Sequence, residues 1–453
     1  MIRRWLLSLC LLAHAAYAPA QQAETSGMSY LDNGVIRLGM NLEIGGAITW
    51  LSESGSDENL VNSHDWGRQI QMSFYSGPTP YEPDGKKPHP SWTFIGWNPI
   101  QSGDCYDNPS QVLAHENYGE TAYVKCIPMH WPLDNEPGEC SFEVWATLEG
   151  NTVRVRSRLT NARGDTTQYT ARGQELPAVY TNGPYYRLFT YTGDAPFTGD
   201  DLYRVEKIWD TRIPPAEAPG GPWEGWFATE NWAALLNEDD WGLGIWSPGS
   251  YQYTGGFAGE PGSGGPKDSP TGYFAPLRRE ILDHDIVYEY EYTLILGTLG
   301  EIREFVYENA PRPTPPSYAF AQDREGWTLH NAHDGGWQLD GEWRVELSGE
   351  RPALSGPLTL WEAKDMPIVR IRAAFNTGED TARLRWERLG PNGPEHGGEV
   401  EFPVTPDGET HDHAIDLSKA AGYDGYCMRL TVMPAREGGE GKSVVVERVG
   451  KGE

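Results

Sequence analysis

The chain has 453 residues, with 36 basic and 65 acidic side chains and a formal net charge of −29 at pH 7. So large a negative charge disfavours binding to nucleic acids and to anionic membrane surfaces. The length suffices for two or three domains. Much glycine, proline, tryptophan and tyrosine, without long helix-forming stretches, indicates an all-β protein with ordered loops.

The first 18 residues have the pattern of a signal peptide. Arg3 and Arg4 precede the apolar residues 5–12, and small residues at 16 and 18 form a cleavage site. The apolar stretch is too short to span a bilayer, which weakens the alternative of a membrane anchor. A lipoprotein signal around Cys10 is a second alternative, with a poorly fitting leucine before the cysteine. We expect a secreted or periplasmic protein without membrane insertion.

Two short strands open the exported chain and lead to a polar, aromatic loop. Residues 33–39 and 45–52 alternate in the manner of strands, and the following loop carries His64, Trp66 and Arg68. Aromatic rings stack on the apolar faces of sugars, and a guanidinium binds hydroxyls and carboxylates. These three residues are therefore predicted to bind a carbohydrate substrate.

Cysteines are expected to form one disulfide. Cys105, Cys126 and Cys140 lie within one loop-rich region, and export permits oxidation, although the pairing cannot be read from the sequence. Cys427 lies in an apolar strand and is predicted to be a buried free thiol. No cysteine has the spacing of a zinc site. We predict no cofactor and leave a structural calcium ion open.

Further strands are predicted in the middle of the chain. Residues 141–148 and 152–159 alternate around a turn at Gly150, which predicts a hairpin. Strands are also predicted at 231–236, 242–247 and 287–296, with a short helix at 301–307.

A proline-rich linker at 311–317 divides a large domain, 25–310, from a smaller one, 318–450. The smaller domain also consists of predicted strands and suggests a jelly-roll β-sandwich.

The large domain resembles the galactose-mutarotase-like β-supersandwich of aldose epimerases and many sugar-active enzymes. The similarity rests on residues 45–51, on Arg68, on 159–161 with 174–180, and on 281–292. It implies a concave, sugar-facing sheet with Arg68 in contact with the substrate. Gln174 or Glu175 stands where those epimerases hold a histidine, which counts against mutarotation.

The small domain resembles the galactose-binding-like carbohydrate modules of bacterial polysaccharide enzymes. The similar segments are 320–327 and 407–418. Two interpretations remain open for this domain: it binds sugar, or it only packs against the catalytic domain.

Three residues are predicted to be catalytic. Glu175 and Glu230 each stand beside an apolar strand, where burial raises the pKa of a carboxyl group. For Glu175 the alternative is a structural pairing with Arg172 or Arg187, and for Glu230 a solvated strand start. His130 is held between two prolines, as suits a general acid or base, and the alternative is a hydrogen-bonded structural histidine.

Four more residues complete the predicted site as substrate-binding groups: His115, Glu116, Tyr185 and Tyr186. The expected partner is a polysaccharide or oligosaccharide. Cleavage of glycosidic bonds is the leading hypothesis, with hydrolysis slightly ahead of elimination by a lyase. A non-catalytic glycan-binding protein and a sugar epimerase are the alternatives.

Overall fold

A computed structural model of the protein describes residues 27–452; the predicted signal peptide, with Cys10, lies outside them. The described chain is almost entirely β-structure, which confirms the predicted all-β sandwich fold. Within it the strands form four sheets, two large ones before residue 299 and two six-stranded ones after residue 316.

The first part of the described chain contains twenty strands. In chain order they are β1 (Met28–Asp32), β2 (Ile36–Asn41), β3 (Ala47–Glu53), β4 (Ile70–Ser73), β5 (Pro99–Ile100), β6 (Gln111–Asn117), β7 (Thr121–Ile127), β8 (Met129–His130), β9 (Cys140–Glu149), β10 (Thr152–Asn161), β11 (Arg172–Asn182), β12 (Arg187–Thr190), β13 (Tyr203–Val205), β14 (Ile208–Trp209), β15 (Glu224–Phe227), β16 (Trp232–Leu236), β17 (Trp241–Trp246), β18 (Gln252–Ala258), β19 (Thr271–Glu280) and β20 (Val287–Thr298). Short 3₁₀ turns occupy Leu42–Ile44, Pro83–Gly85, Pro90–Trp92 and Pro215–Glu217.

These strands form an eleven-stranded and a nine-stranded sheet. The first has the order β1-β2-β3-β4-β11-β19-β18-β14, with β15 on β18 and with β5, joined by β8, on β4. The second has the order β13-β12-β16-β17-β20-β10-β9-β7-β6. The predicted hairpin is confirmed as β9 and β10, because the alternating side chains of Val153 and Val155 enter the shared core.

One α-helix, α1 (Leu299–Asn309), closes the first part of the described chain. Thr298 and Glu301 form a capping box that satisfies backbone donors at its start. Ile302 and Val306 pack on Trp232 from the outer face of the nine-stranded sheet. The predicted short helix is therefore confirmed, and it is two residues longer at each end.

The second part of the described chain is a smaller pair of sheets. Its strands are β21 (Ser317–Tyr318), β22 (Thr328–His330), β23 (Ala332–Asp334), β24 (Trp343–Leu347), β25 (Ala353–Ser355), β26 (Trp361–Glu362), β27 (Ile368–Asn376), β28 (Thr381–Gly390), β29 (Gly393–Pro403), β30 (Thr410–Asp416), β31 (Tyr426–Met433) and β32 (Ser443–Lys451), with a 3₁₀ turn at Ala363–Asp365. The sheets have the orders β23-β24-β32-β27-β30, with β21 on β32, and β22-β25-β31-β28-β29, with β26 on β31. They enclose a core of their own.

A buried arginine joins the two parts. Nη1 of Arg324 lies 2.6 Å from Oδ2 of Asp283 in the first part, and its Nε lies 2.5 Å from Oδ2 of Asp334. Gln168 of the first part also donates to Asp334. Burial opposes ionisation of Asp334, but the hydrogen bonds and charge of Arg324 outweigh it and lower the pKa of that carboxyl to about 2.

Candidate functional site

A cleft of about 820 Å³ opens on the eleven-stranded sheet. Its floor comes from β4, β11 and β19, which are neighbours in the sheet. Successive side chains of a strand point to opposite faces, so every second residue lies in the cleft while Met72, Phe74 and Phe274 enter the core. The floor side chains are Gln71, Ser73, Tyr75, Glu175, Ala178, Tyr180, Thr271, Tyr273 and Leu277.

A β-bulge in β11 determines which of its side chains reach the floor. Glu175 pairs with Leu277 and Val179 with Phe274, so four steps of β11 oppose three of β19. The extra residue changes the floor positions from odd numbers to even ones, which brings Tyr180 to the same face as Glu175. Pro177 occupies the bulge, where a residue without a backbone N–H is tolerated in a central strand.

Aromatic side chains from three loops line the two sides of this floor. Trp92 and Phe94 follow β4, and Trp131 lies after β8, with its ring centroid 5.9 Å from that of Trp92. On the other side, Trp223 packs on Tyr273 at 4.6 Å and on Trp209 at 5.6 Å between ring centroids. Half-exposed rings on both sides of a polar floor offer flat apolar surfaces to a ligand.

Glu175 is the acid at the centre of the floor. Burial raises the pKa of its carboxyl group, and hydrogen bonds from Tyr273, Tyr75 and Ser73 oppose this by stabilising the charged form. The hydroxyl of Tyr273 donates to Oε1 of Glu175 at 2.5 Å. Because burial is the larger effect, the pKa of Glu175 lies above its ordinary value.

Two arginines lie in the cleft with different partners. Nε of Arg68 lies 3.1 Å from Oδ2 of Asp65, and its Nη1 donates to the carbonyl of Ser269. Nη1 of Arg172 donates to the carbonyls of Ser76 and Ile95 at 3.0 and 2.7 Å. Desolvation lowers the pKa of Arg172, since no carboxylate of the described chain forms an ion pair with it.

Among the ten predicted site residues, Glu175 and Arg68 meet in this cleft. The structural pairings considered for Glu175 are not formed within residues 27–452, because Arg172 binds backbone carbonyls and Arg187 pairs with Asp240. The carboxyl group of Glu175 therefore faces the cleft instead of neutralising an arginine.

His130 lies outside the cleft and is fully buried. Its Nε2 lies 3.0 Å from Oε2 of Glu139, and its ring packs against Tyr81 and Trp97. The segment between two prolines, which was predicted to hold His130 as a catalytic group, forms the short strand β8. Side chains of that strand alternate between its two faces, and His130 points into the interior. The next residue, Trp131, faces the cleft instead.

Glu230 is also fully buried and away from the cleft. Its carboxylate accepts hydrogen bonds from the backbone N–H of Phe197 and from the Trp232 indole, at 2.7 and 2.9 Å. The Tyr307 hydroxyl of α1 donates to it as well, at 2.7 Å. These bonds anchor α1 to the sheet, which is a structural role.

The other substrate-binding predictions fall at separate places, because they rested on proximity in sequence. None of the following lines the cleft. His64 is exposed and donates from Nδ1 to the Lys267 carbonyl, and the Trp66 carbonyl accepts from Gln71. His115 bonds Ser29 between β6 and β1, Glu116 accepts from Tyr118, Tyr185 is buried beside Trp241, and Tyr186 bonds Glu238.

Several residues of the cleft were not predicted from the sequence. Tyr75 follows β4, Tyr180 lies on β11 and Tyr273 on β19. Arg172 was considered only as a partner for Glu175. The period of two along residues 71–75 and 271–277 is the one local signal that identifies a polar, aromatic strand face. Which strands share that face depends on long-range pairing.

The cysteine prediction was wrong for the loop-rich region. Cys105, Cys126, Cys140 and Cys427 are all free thiols, and Cys427 is buried as predicted. Burial raises the pKa of Cys126 to about 12. The described residues contain no group of three metal-binding side chains, and no helix among them is long and apolar enough to cross a membrane.

No protein-family model and no curated protein matches this sequence. Among solved structures, the chain is similar to a protein assigned as an aldose 1-epimerase from Escherichia coli K12. The match has 12% identity and a TM-score of 0.38, over 60% of this chain and 99% of that one. A galactose mutarotase related enzyme from Lactobacillus acidophilus matches at 12% identity and a TM-score of 0.33, over 60% and 97% of the two chains.

An alpha-galactosidase from Geobacillus stearothermophilus matches at 9% identity and a TM-score of 0.36, over 66% of this chain and 45% of that one. At these identities and TM-scores, the function of this chain has to be inferred from its own residues. The resemblance of residues 318–450 to galactose-binding-like modules stays a prediction.

Proposed function

We propose that this protein binds a glycan in the cleft and hydrolyses a glycosidic bond, with Glu175 as the general acid. The observation that carries the proposal is the carboxyl group of Glu175, whose pKa is raised by burial, on a floor between aromatic side chains. The predicted signal peptide agrees with a substrate outside the cytoplasm.

The lining of the cleft fits a carbohydrate ligand. Sugar rings present C–H groups on their faces and hydroxyls at their edges. Trp92, Trp131 and Trp223 supply apolar surfaces for the faces, and Tyr180 supplies a hydroxyl group for the edges.

Hydrolysis requires an acid and a second carboxylate. We assign the second role to Asp65, the other carboxylate among the lining residues, which pairs with Arg68. Glu175 gives its proton to the glycosidic oxygen as the bond from that oxygen to the anomeric carbon breaks. Water then adds to the anomeric carbon and its proton passes to Asp65, after which Asp65 releases that proton to solvent and Glu175 takes one up from solvent.

Elimination from a uronic acid is the second candidate, favoured by the unpaired guanidinium of Arg172 in the same cleft. That reaction needs a base to remove the proton from C5. The tyrosines beside Glu175 are poor bases, because burial raises the pKa values of Tyr75 and Tyr273 well above their usual range. Hydrolysis is therefore ranked first.

The test is incubation of the purified protein with a panel of neutral and uronic acid polysaccharides. New reducing ends without the ultraviolet absorbance of an unsaturated uronide support hydrolysis. Both signals together support elimination. Binding without either signal supports a non-catalytic glycan-binding protein, and altered anomer exchange of free sugars supports an epimerase.

Two variants assign the acid. Glu175→Gln should lower kcat by about a thousandfold while preserving glycan binding, because an amide cannot donate the required proton. Glu280→Gln is the matched control, since Glu280 also has a raised pKa but lies outside the cleft. Unchanged turnover in Glu175→Gln would remove that residue from the mechanism.

A further inference from the structure

The Arg172 side chain is held in place through one nitrogen of its guanidinium group, Nη1. Its Nη1 donates to the carbonyls of Ser76 and Ile95, and to Oγ1 of Thr79 at 3.3 Å. Its Nε and Nη2 make no hydrogen bond to any described residue. The group therefore stands in a defined orientation with two adjacent donors free.

The charge of Arg172 is uncompensated inside the cleft. The charged lining residues are Asp65, Arg68, Arg172 and Glu175. Asp65 and Arg68 form an ion pair, whereas Arg172 forms none with any carboxylate of the described residues. Arg172 is therefore the lining guanidinium without an ion-pair partner, in a protein whose net charge is −29.

Tyr75 connects this cation to the catalytic acid. The guanidinium carbon of Arg172 lies 5.8 Å from the centre of the Tyr75 ring, and the hydroxyl of Tyr75 hydrogen-bonds Glu175. The Tyr75 ring thus separates the free donors of Arg172, Nε and Nη2, from the carboxyl group of Glu175, which protonates the glycosidic oxygen. An anion bound by Arg172 belongs to the sugar at the cleavage site or to its immediate neighbour.

We propose that the glycan is acidic and that a sugar carboxylate next to the cleavage site accepts hydrogen bonds from Nε and Nη2 of Arg172. Adjacent guanidinium donors match the two oxygens of a carboxylate, and this pairing gives geometric specificity as well as charge. The inference rests on the proposed function for the location of the cleavage site, but ligand binding tests it separately.

The experiment compares oligosaccharides of galacturonic and glucuronic acid with their methyl esters, by calorimetry and by turnover. The wild-type protein should bind the acids at least about tenfold more tightly than the esters, with a preference that weakens as salt increases. Arg172→Gln should abolish the preference while leaving affinity for the esters unchanged. Arg187→Gln is the comparison variant and should retain the preference, because Arg187 lies outside the cleft and pairs with Asp240.

The outcomes separate this inference from the proposed function. Equal or tighter binding of esters by the wild-type protein overturns the acidic ligand, whereas hydrolysis of neutral glycans still supports the proposed function. Preferential binding of the acids without cleavage of any glycan supports Arg172 and overturns the enzyme. Loss of ester binding in Arg172→Gln would show that Arg172 only positions residues 77–97, and no binding of any carbohydrate overturns both proposals.

Discussion

Tyr273 and Glu175 join adjacent strands of the cleft floor through a hydrogen bond of 2.5 Å from the phenol to the carboxyl group. The bond stabilises the ionised acid, while burial stabilises the neutral acid and has the larger effect. The pKa of Glu175 is thus set by two opposing effects: burial in the cleft, and the hydrogen-bond donors around the carboxyl group.

Removing the Tyr273 hydroxyl should shift the pH profile of kcat. Tyr273→Phe deletes a group that lowers the pKa of Glu175, so the pKa should rise further. Since the proposed acid works protonated, the alkaline limb of the kcat profile should move to higher pH. Tyr253→Phe, which removes a buried hydroxyl that donates to the Asn231 carbonyl, is the control and should leave the limb in place. An unmoved limb in Tyr273→Phe would contradict the role of Glu175.

Trp223 should contribute strongly to glycan binding. It is half-exposed, lines the cleft and packs on Tyr273 at 4.6 Å. Trp223→Ala should raise the glycan dissociation constant about tenfold by removing a stacking surface. Trp145→Ala removes a half-exposed ring from the other large sheet and should not change binding by titration calorimetry. Equal losses in both variants would indicate a general loss of structure.

Breaking the buried arginine contact between the two parts should destabilise the protein. Arg324→Met leaves Asp283 and Asp334 buried without their cation, which should lower the free energy of unfolding by about 3 kcal/mol. Arg372→Met breaks two exposed ion pairs, with Asp412 and Glu447, and should cost much less, because solvent screens both pairs. Urea denaturation of both variants measures the difference, and equal costs would contradict the importance of burial.

Glu280 should make the protein less stable as pH rises. Burial raises its pKa to about 7, although the Tyr288 hydroxyl opposes the shift by donating to it at 2.9 Å. The unfolded chain therefore ionises first, and stability should fall between about pH 4.5 and pH 7, by up to about 3 kcal/mol.

Glu280→Gln should remove this loss, because the amide keeps its acceptor oxygen and cannot ionise. Melting temperatures at pH 5 and pH 8 measure the effect, with Glu304→Gln on the exposed face of α1 as the control. A variant with the wild-type pH dependence would show that Glu280 is ionised in the folded protein.

Composition and side-chain alternation are enough to predict the all-β class and many of the elements. Alternation along 141–148 and 152–159 sufficed for β9 and β10, because one face of that hairpin is buried and the other is polar. The helix predicted at 301–307 lies within α1, which a capping box and the buried residues Ile302 and Val306 stabilise. The sequence also places Glu175 beside an apolar strand, and this predicts the burial that raises the pKa of its carboxyl group.

Long-range strand pairing determines which residues share the cleft. Tyr75, Glu175 and Tyr273 lie up to about two hundred residues apart in the sequence, and they meet because β4, β11 and β19 pair in one sheet. A single extra residue at the bulge reverses which side chains of β11 face the ligand. Because side chains alternate between the two faces of a strand, Trp131 faces the cleft and His130 does not. The local sequence pattern does not reveal which face of a strand meets solvent.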